Sequence, residues 1–168
     1  GQSFKSDIRW ARSTDDGGSN VDNRALNALF TYRIGGSGFG VGYQRMSGDT
    51  GFAYLSGTDP YLTNFVQIGD FANKDERSWQ ARYDYDFAGL GLPGLTFMTR
   101  YLQGDHIDLL NGQGRGKEWE RDTDIGYVVQ NGPFKNLGFK VRNGAFRSDF
   151  GNDIDETRVI VSYQMPLW

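Results

Sequence analysis

The 168-residue sequence has no cysteine, only four prolines and a single histidine. The absence of cysteine excludes a disulfide framework and any cysteine-based metal site. No apolar run approaches the ~18 residues that a transmembrane helix needs, and hardly any stretch has the apolar period of an amphipathic helix. The net charge of −3 is too small to indicate a nucleic-acid-binding protein. We expect no nucleic-acid partner, no metal site and no cofactor.

What the sequence does contain is glycine (24 residues) and aromatic side chains (15%), arranged with a period of two. Between Trp79 and Phe87, aromatic residues and one alanine occupy the odd positions, whereas Gln, Arg and Asp occupy the even ones. This alternation is typical of β-strands. The mean hydropathy of −0.59 still permits a membrane protein, because a transmembrane barrel strand needs only ~9–11 residues with every second one apolar.

Eight segments are predicted to be strands, namely 3–11, 23–34, 37–47, 77–88, 94–103, 117–130, 135–148 and 155–168. The connections alternate in length, with tight turns at 35–37, 88–93 and 131–135 on the rim that also holds the C-terminus. Long loops on one rim and tight turns on the other are typical of outer-membrane barrels, as is an aromatic C-terminal residue such as Trp168. The chain begins without Met and already in strand-like alternation, which indicates a processed chain or a piece of a longer one.

A soluble β-sandwich or a small ligand-binding barrel would give the same alternation, with its apolar face inward. Two features favour the membrane barrel. The apolar face carries bulky aromatic residues near strand ends, as an interfacial girdle does. They are Trp10, Tyr32, Tyr43, Trp79, Tyr101 and Tyr127. The polar face carries arginines rather than the mixture of lysine, glutamate and threonine found on a solvated sheet.

The strand cations form the most informative set of polar residues. Seven of them lie on the polar face by parity, namely Arg9, Arg33, Arg82, Arg100, Lys140, Arg142 and Arg158. An arginine on the lipid face would cost ~2–4 kcal/mol at the midplane, so we expect these side chains to point into the lumen. Guanidinium groups there would attract carboxylates. The alternative is a lumen of mutually neutralised ion pairs, with Asp7, Asp84, Asp86, Asp122 and Asp124 as partners.

Arg142 and Arg158 are expected to be freer than Arg82. The strand of Arg142 has no acidic residue two positions away on the same face, whereas Asp84 stands beside Arg82. We therefore expect Arg142 to contribute more to anion preference than Arg82.

Residues 48–76 form the longest connection, and it is unusually apolar for an exposed loop. We expect it to fold into the barrel and to narrow the pore, because its apolar side chains need burial. Tyr54, Asp59, Tyr61 and Asn64 are the candidate residues of this constriction. The alternative is a loop packed over the outer rim or against a neighbour.

Three further motifs suggest other functions but fit them poorly. The sequence "GGSGFG" at 35–40 leads into a strand rather than a helix, so it is interpreted as a hairpin turn and not as a dinucleotide site. The sequence "NGQGRGK" at 111–117 lacks the first glycine and the Ser/Thr of a P-loop. His106 lies between Asp105 and Asp108, which would suit a barrel-embedded hydrolase, but a solvated loop histidine is the simpler interpretation.

The stretches "DPYLTNFVQIGDFANKDERSWQ", "GLGLPGLTF" and "WERD" resemble the OprD-type outer-membrane porins, and the resemblance covers essentially the whole chain. It implies that residues 1–168 are the C-terminal part of a single barrel domain, about the last eight of eighteen antiparallel strands. It also implies that residues 48–76 are an inward-folded constriction loop.

The same resemblance implies a passive, multi-pass channel in the cell outer membrane of Gram-negative bacteria, and not an enzyme. Small carboxylate-containing solutes, anionic or zwitterionic, would follow a ladder of basic residues. That role transfers best to Arg82, Arg100, Arg142 and Arg158, and less closely to Arg9, Arg33 and Lys140. The implied partners are the remaining N-terminal barrel strands, outer-membrane lipid and lipopolysaccharide, in a monomer or a loose trimer. The alternatives are a small eight-stranded barrel acting as a structural anchor, and the hydrolase around His106.

Overall fold

A computed structural model describes residues 1–18, 20–110 and 112–165. It confirms the all-β prediction: eight strands form one antiparallel sheet in sequence order. The strands are β1 (Gln2–Thr14), β2 (Asp22–Ile34), β3 (Ser37–Ser47), β4 (Arg77–Asp86), β5 (Leu95–Asp108), β6 (Arg115–Val128), β7 (Leu137–Ser148) and β8 (Ile154–Tyr163). No helix in the described part of the chain has the length and hydropathy needed to cross a membrane.

All eight predicted strands are present, but several ends differ from the prediction. β4 stops at Asp86, because the Asp86 carboxylate accepts a hydrogen bond from the Ala88 amide (2.9 Å) and caps a short 3₁₀ turn, Phe87–Leu90. β5 continues to Asp108 through a bulge between Gly104 and Ile107, although its polar, glycine-containing end resembles a loop. The end of the predicted strand 155–168, including Trp168, lies outside the described residues.

The predicted alternation of long and short connections is wrong for part of the sheet, because residues 109–114 and 149–153 form shorter connections than residues 87–94 and 129–136. β1–β2, β3–β4, β5–β6 and β7–β8 are joined at one rim, which we call the long-connection rim. The opposite rim, which we call the tight-turn rim, joins the remaining pairs through residues 35–36, 87–94 and 129–136. Because the long connections include the 29-residue segment 48–76, the two rims differ greatly in the amount of polypeptide above them.

The two faces of the sheet have opposite chemistry. Large apolar side chains on one face are exposed, among them Val41, Trp79 and Val159. The other face is polar and is covered in part by residues 48–76, so its buried side chains include Gln44, Glu120 and Asp122. This arrangement is the reverse of a soluble sheet, in which apolar residues are covered and polar residues meet water.

The sheet is open within the described residues. β1 pairs with β2 and β8 pairs with β7, and no pairing joins β1 to β8. Unpaired strand edges cannot face lipid, because their backbone groups would lack hydrogen-bond partners. The eight strands therefore do not close into the small barrel considered as an alternative.

Candidate functional site

The polar face brings the predicted cations into register across neighbouring strands. Arg82 on β4 lies directly opposite Arg100 on β5, and Arg142 on β7 lies directly opposite Arg158 on β8. Like charges in such positions destabilise a sheet unless anions separate or neutralise them. The acidic neighbours of these residues therefore decide how much positive charge is available.

Most of the cations are held by carboxylates. Arg82 makes two hydrogen bonds to Asp84 (2.7 and 2.8 Å), as the i, i+2 spacing predicts. Arg100 pairs with Asp122 on the next strand at 2.7 Å. Arg158 contacts Glu156, two residues away on its own strand. Arg9 pairs with Asp7 at 2.7 Å.

The expectation that Arg142 and Arg158 are freer than Arg82 is wrong. The Arg142 guanidinium pairs with Asp124 at 3.0 Å, and the Lys140 ammonium lies 3.9 Å from the same carboxylate. The partner of Arg142 comes from β6, where Asp124 is its direct cross-strand neighbour. Inspection of a single strand cannot reveal such a partner.

Arg33 differs from the other predicted cations. It is exposed, and the described residues provide neither an ion pair nor a side-chain hydrogen bond for it. It lines a recess of about 270 Å³ on the polar face near the tight-turn rim, together with Arg82, Lys140, Asp84 and Asp124. Three of the six predicted ladder residues thus border one water-accessible space.

Residues 48–76 cross the polar face from β1 to β8. At the β1 side, Arg9 Nη1 donates to the Tyr61 carbonyl (2.9 Å). At the β8 side, the Arg158 guanidinium donates to the Gln67 carbonyl (3.3 Å), and Gln67 Nε2 donates to Glu156 (3.1 Å). The segment therefore lies over the face that carries the cations, and not over the apolar face.

The middle of the segment is fixed by buried amide groups. Asn64 is fully buried; its Nδ2 donates to Ser78 Oγ (2.8 Å), and its Oδ1 accepts from Gln80 Nε2 (2.9 Å). Gln44 Nε2 donates to the Phe71 carbonyl (2.8 Å), and its Oε1 accepts from the Asn64 amide (2.9 Å). Asn64 thus anchors the segment to β4 and does not face open space.

The other three candidate residues of the segment are exposed. The Tyr61 ring lies under the Arg9 guanidinium, 5.5 Å from the ring centroid, and the Asp59 carboxylate accepts from the Tyr61 amide (2.7 Å). The Tyr54 hydroxyl contacts Asp70. These side chains are consequently free to meet solvent above the polar face. Of the apolar residues expected to need burial, Leu62 and Phe71 are buried, whereas Leu55 and Phe65 remain exposed.

A row of buried carboxylates beneath the segment was not predicted from the sequence. Glu118, Glu120 and Asp122 alternate along β6, and Glu76 joins them from the end of the segment. Glu120 accepts the backbone N–H groups of Ile68 (2.9 Å) and Gly69 (2.6 Å). The period-two "EWERD" motif in β6 is the signal that could have revealed this row.

Burial raises the pKa of the Glu76 carboxyl to about 7, although the Asn73 amide and side chain both donate to it and oppose the shift. The Glu76 Oε1 atom is buried and has no hydrogen-bond partner among the described residues. The described residues provide no cluster of three or more His, Asp or Glu side chains able to hold a metal ion.

His106 does not form a hydrolytic centre. It is exposed, contacts Asp105, and lies in a small recess with Arg45, Arg77 and Arg115. The described side chains lining that recess include no serine, threonine or other hydroxyl nucleophile. The geometry therefore corresponds to a solvated histidine at the long-connection rim.

Comparisons with known proteins agree with this arrangement. A profile of the family described as "outer membrane porin, OprD family" matches residues 1–167. The chain is 40% identical to the porin-like protein GalP of Pseudomonas putida over 91% of the chain and 37% of GalP. It resembles the crystal structures of Pseudomonas aeruginosa OccK7 (OpdD) at 81% identity and a TM-score of 0.93, and of OpdQ at 73% identity and a TM-score of 0.96. Each match covers 99% of the chain and 44% of the solved structure, so the chain spans less than half the length of these relatives.

Proposed function

Because the chain belongs to the OprD family of outer-membrane porins, we propose that it forms part of a passive channel selective for small carboxylate-containing solutes. Its relatives are porins and not enzymes. In the proposed protein these eight strands are the C-terminal part of an eighteen-stranded barrel in the outer membrane. The missing neighbours of β1 and β8 would be strands that the described sheet does not contain. The complete barrel would be a monomer or a loose trimer.

The observation that carries the proposal is the convergence of Arg33, Arg82 and Lys140 on one recess of the polar face. The polar face of a membrane barrel borders the water-filled lumen, so a solute would pass these groups. A guanidinium binds a carboxylate through two parallel hydrogen bonds, which a chloride ion cannot reproduce. Arg33 supplies a guanidinium without an acidic partner among the described residues.

The paired cations contribute in a different way. Arg100, Arg142 and Arg158 each have a carboxylate neighbour, so a passing anion would compete with that neighbour. Such sites bind weakly, and several weak sites in series allow a solute both to enter and to leave. The proposed solute path would thus consist of basic sites that differ in how strongly they bind the solute. These sites are Arg33, Arg82, Arg100, Lys140, Arg142 and Arg158.

Residues 48–76 are proposed to narrow the channel. Their hydrogen bonds reach from β1 to β8 across the polar face, and Tyr54, Asp59 and Tyr61 remain exposed above it. These three side chains would border the narrow part of the lumen, and the buried Asn64 would hold the segment in place.

The test is single-channel recording of the complete barrel in a planar lipid bilayer. We expect a defined conductance that small carboxylates reduce at millimolar concentration, whereas their amides, matched in size, do not. The variant Arg33→Gln should weaken this block, and Lys135→Gln, which removes an exposed charge at the tight-turn rim, should not. A silent bilayer would exclude a channel, and equal block by acid and amide would exclude carboxylate selectivity.

A further inference from the structure

Four arginines form a row on the outer, apolar face of the sheet, where charges are unexpected. Arg12, Arg24, Arg45 and Arg77 lie on β1, β2, β3 and β4, each within two residues of the strand end at the long-connection rim. All four are exposed, and we call them the outer arginine row. Their parity places them opposite the cations of the polar face, so they do not border the proposed solute path.

The row brings like charges together. Arg12 is the direct cross-strand partner of Arg24, and Arg45 is the direct partner of Arg77. The direct partner of Arg24 on β3 is Ser47. Arg45 lies two residues from Ser47 on the same face, so it is the diagonal neighbour of Arg24. Like charges directly opposite each other destabilise a sheet, so this arrangement requires an anion from some source.

The protein does not supply that anion within its described residues. None of the four guanidinium groups has an ion pair or a side-chain hydrogen bond there, in contrast to Arg9, Arg82, Arg100 and Arg142. Asp105 lies opposite Arg77, but its carboxylate contacts His106. Asp75, which lines the recess beside Arg45 and Arg77, pairs with Arg115 at 3.2 Å.

The depth of the row in the membrane follows from its neighbours. On each of the four strands, the residue two positions further from the rim has a large, exposed apolar side chain on the same face. These residues are Trp10, Leu26, Tyr43 and Trp79. Trp and Tyr mark the boundary between hydrocarbon and headgroups. Two strand residues span ~7 Å, so the arginines lie at the headgroup level, where a charge on the lipid face costs only ~0–1 kcal/mol.

We infer that the outer arginine row binds the phosphate groups of a lipid in the leaflet at the long-connection rim. This lipid is a phosphorylated glycolipid of the lipopolysaccharide class. The inference rests on the placement of the chain in the outer membrane, and not on the solute selectivity of the proposed channel. Arginine forks match phosphate oxygens and bind them through charge-assisted hydrogen bonds.

The spacing selects a lipid that carries two phosphates. Each cross-strand pair forms one clamp. The two clamps are offset by two strand spacings, ~10 Å, across the sheet and by two residues, ~7 Å, along the strands. Because these offsets are perpendicular, the distance between the clamps is roughly 12 Å. One headgroup with phosphates at that separation would engage both clamps.

The test uses the complete barrel in a non-ionic detergent, titrated with lipopolysaccharide and followed by native mass spectrometry. We expect the double variants Arg12→Gln/Arg24→Gln and Arg45→Gln/Arg77→Gln each to weaken binding at least tenfold. Arg24→Gln alone should weaken it more than Lys135→Gln, which removes one charge at the opposite rim. Arginine-to-lysine variants, which keep the charge but lose the fork, should fall between these results.

Two further binding measurements identify the source of the phosphate. Lipopolysaccharide from which the phosphates have been removed should bind at least tenfold more weakly, and inorganic phosphate at millimolar concentration should not displace the intact lipid. Unaltered conductance and an intact heat-modifiable band will show that the variants fold. Equal binding by all variants, equal binding of the dephosphorylated lipid, or displacement by inorganic phosphate would each overturn the inference.

Discussion

Arg82 lies directly opposite Arg100 across β4 and β5, yet the two guanidinium groups are bonded to different carboxylates. Arg82 is bonded to Asp84 on its own strand, and Arg100 to Asp122 on β6. Their environments also differ, because the Arg82 side chain is 38% exposed and that of Arg100 only 12%, with Asp122 completely buried. Two cations at directly opposite strand positions thus have different surroundings: Arg82 lines the recess, and Arg100 is held in a largely buried ion pair.

The variant Arg100→Ala is expected to destabilise the barrel. Removing one partner of a buried ion pair leaves an uncompensated charge and costs ~3–5 kcal/mol. Asp122 Oδ1 already has no hydrogen bond among the described residues, so loss of Arg100 would leave this carboxylate without a side-chain partner there. The measurement is the urea midpoint of unfolding in detergent micelles. The double variant Arg100→Gln/Asp122→Asn should recover much of the loss, and an unchanged midpoint for Arg100→Ala would contradict the buried pairing.

The carboxylate flux through the channel should depend more on Arg33 than on Arg142. Arg33 has no acidic partner among the described residues, whereas Arg142 is bonded to Asp124 at 3.0 Å and must exchange that partner for the solute. We therefore expect Arg33→Gln to reduce carboxylate flux into liposomes more than Arg142→Gln. Equal reductions would mean that the cations act as a uniform field rather than through individual contacts.

The strands and their faces could be predicted from the sequence, because period-two alternation is a local property. The charge partners could be predicted only in part, because Asp84 lies two residues from Arg82 on the same strand, whereas a cross-strand partner depends on the register. Asp124 and Arg142 are 18 residues apart, and only the register of β6 and β7 makes them neighbours. The bulge in β5 and the burial of Glu120 likewise depend on contacts between elements distant in sequence.

Anchoring of the segment is expected to depend on Glu120. Its carboxylate binds the Ile68 and Gly69 amides, so Glu120→Ala removes two charge-assisted hydrogen bonds beneath the segment. We expect increased current noise and faster proteolysis within residues 48–76, with little change in the folded fraction. Asp59→Ala is the matched comparison, because Asp59 bonds only its neighbour Tyr61. It should change gating noise more than ion selectivity, and less than Glu120→Ala does.

Gly42 of β3 keeps space for the segment. A Cβ at Gly42 would lie 2.7 Å from Gln80 Cγ and 3.1 Å from Thr63 Cγ2, whereas one at Gly38 would meet Asp84 Cβ at 3.4 Å, an ordinary contact. Gly42→Val should therefore break the hydrogen bond from Gln80 to the Thr63 carbonyl (3.0 Å) and displace the segment. Limited proteolysis should cleave this variant faster than Gly38→Ala. Equal cleavage would show that the segment does not need the close approach at Gly42.

The stability of the barrel should fall as pH rises toward neutrality, because of Glu76. The pKa of this carboxyl rises from the ordinary 4.5 to about 7 in the folded protein through burial. Below pH ~4.5 the folded and unfolded states are both protonated. Between that value and pH ~7 only the folded state retains the proton, so increasing pH favours unfolding.

We expect the urea midpoint of the complete barrel to be higher at pH 5 than at pH 8. Glu76→Gln should reduce this difference and raise the midpoint at pH 8, because the amide remains neutral and still accepts from the Asn73 amide through its oxygen. The nearby Asp70 is also acidic, so ionisation of Glu76 adds repulsion to the cost of burying its charge. Asp59→Asn removes an exposed carboxylate from the same segment and should leave the difference unchanged. A Glu76→Gln barrel with the original pH dependence would show that another group carries the proton.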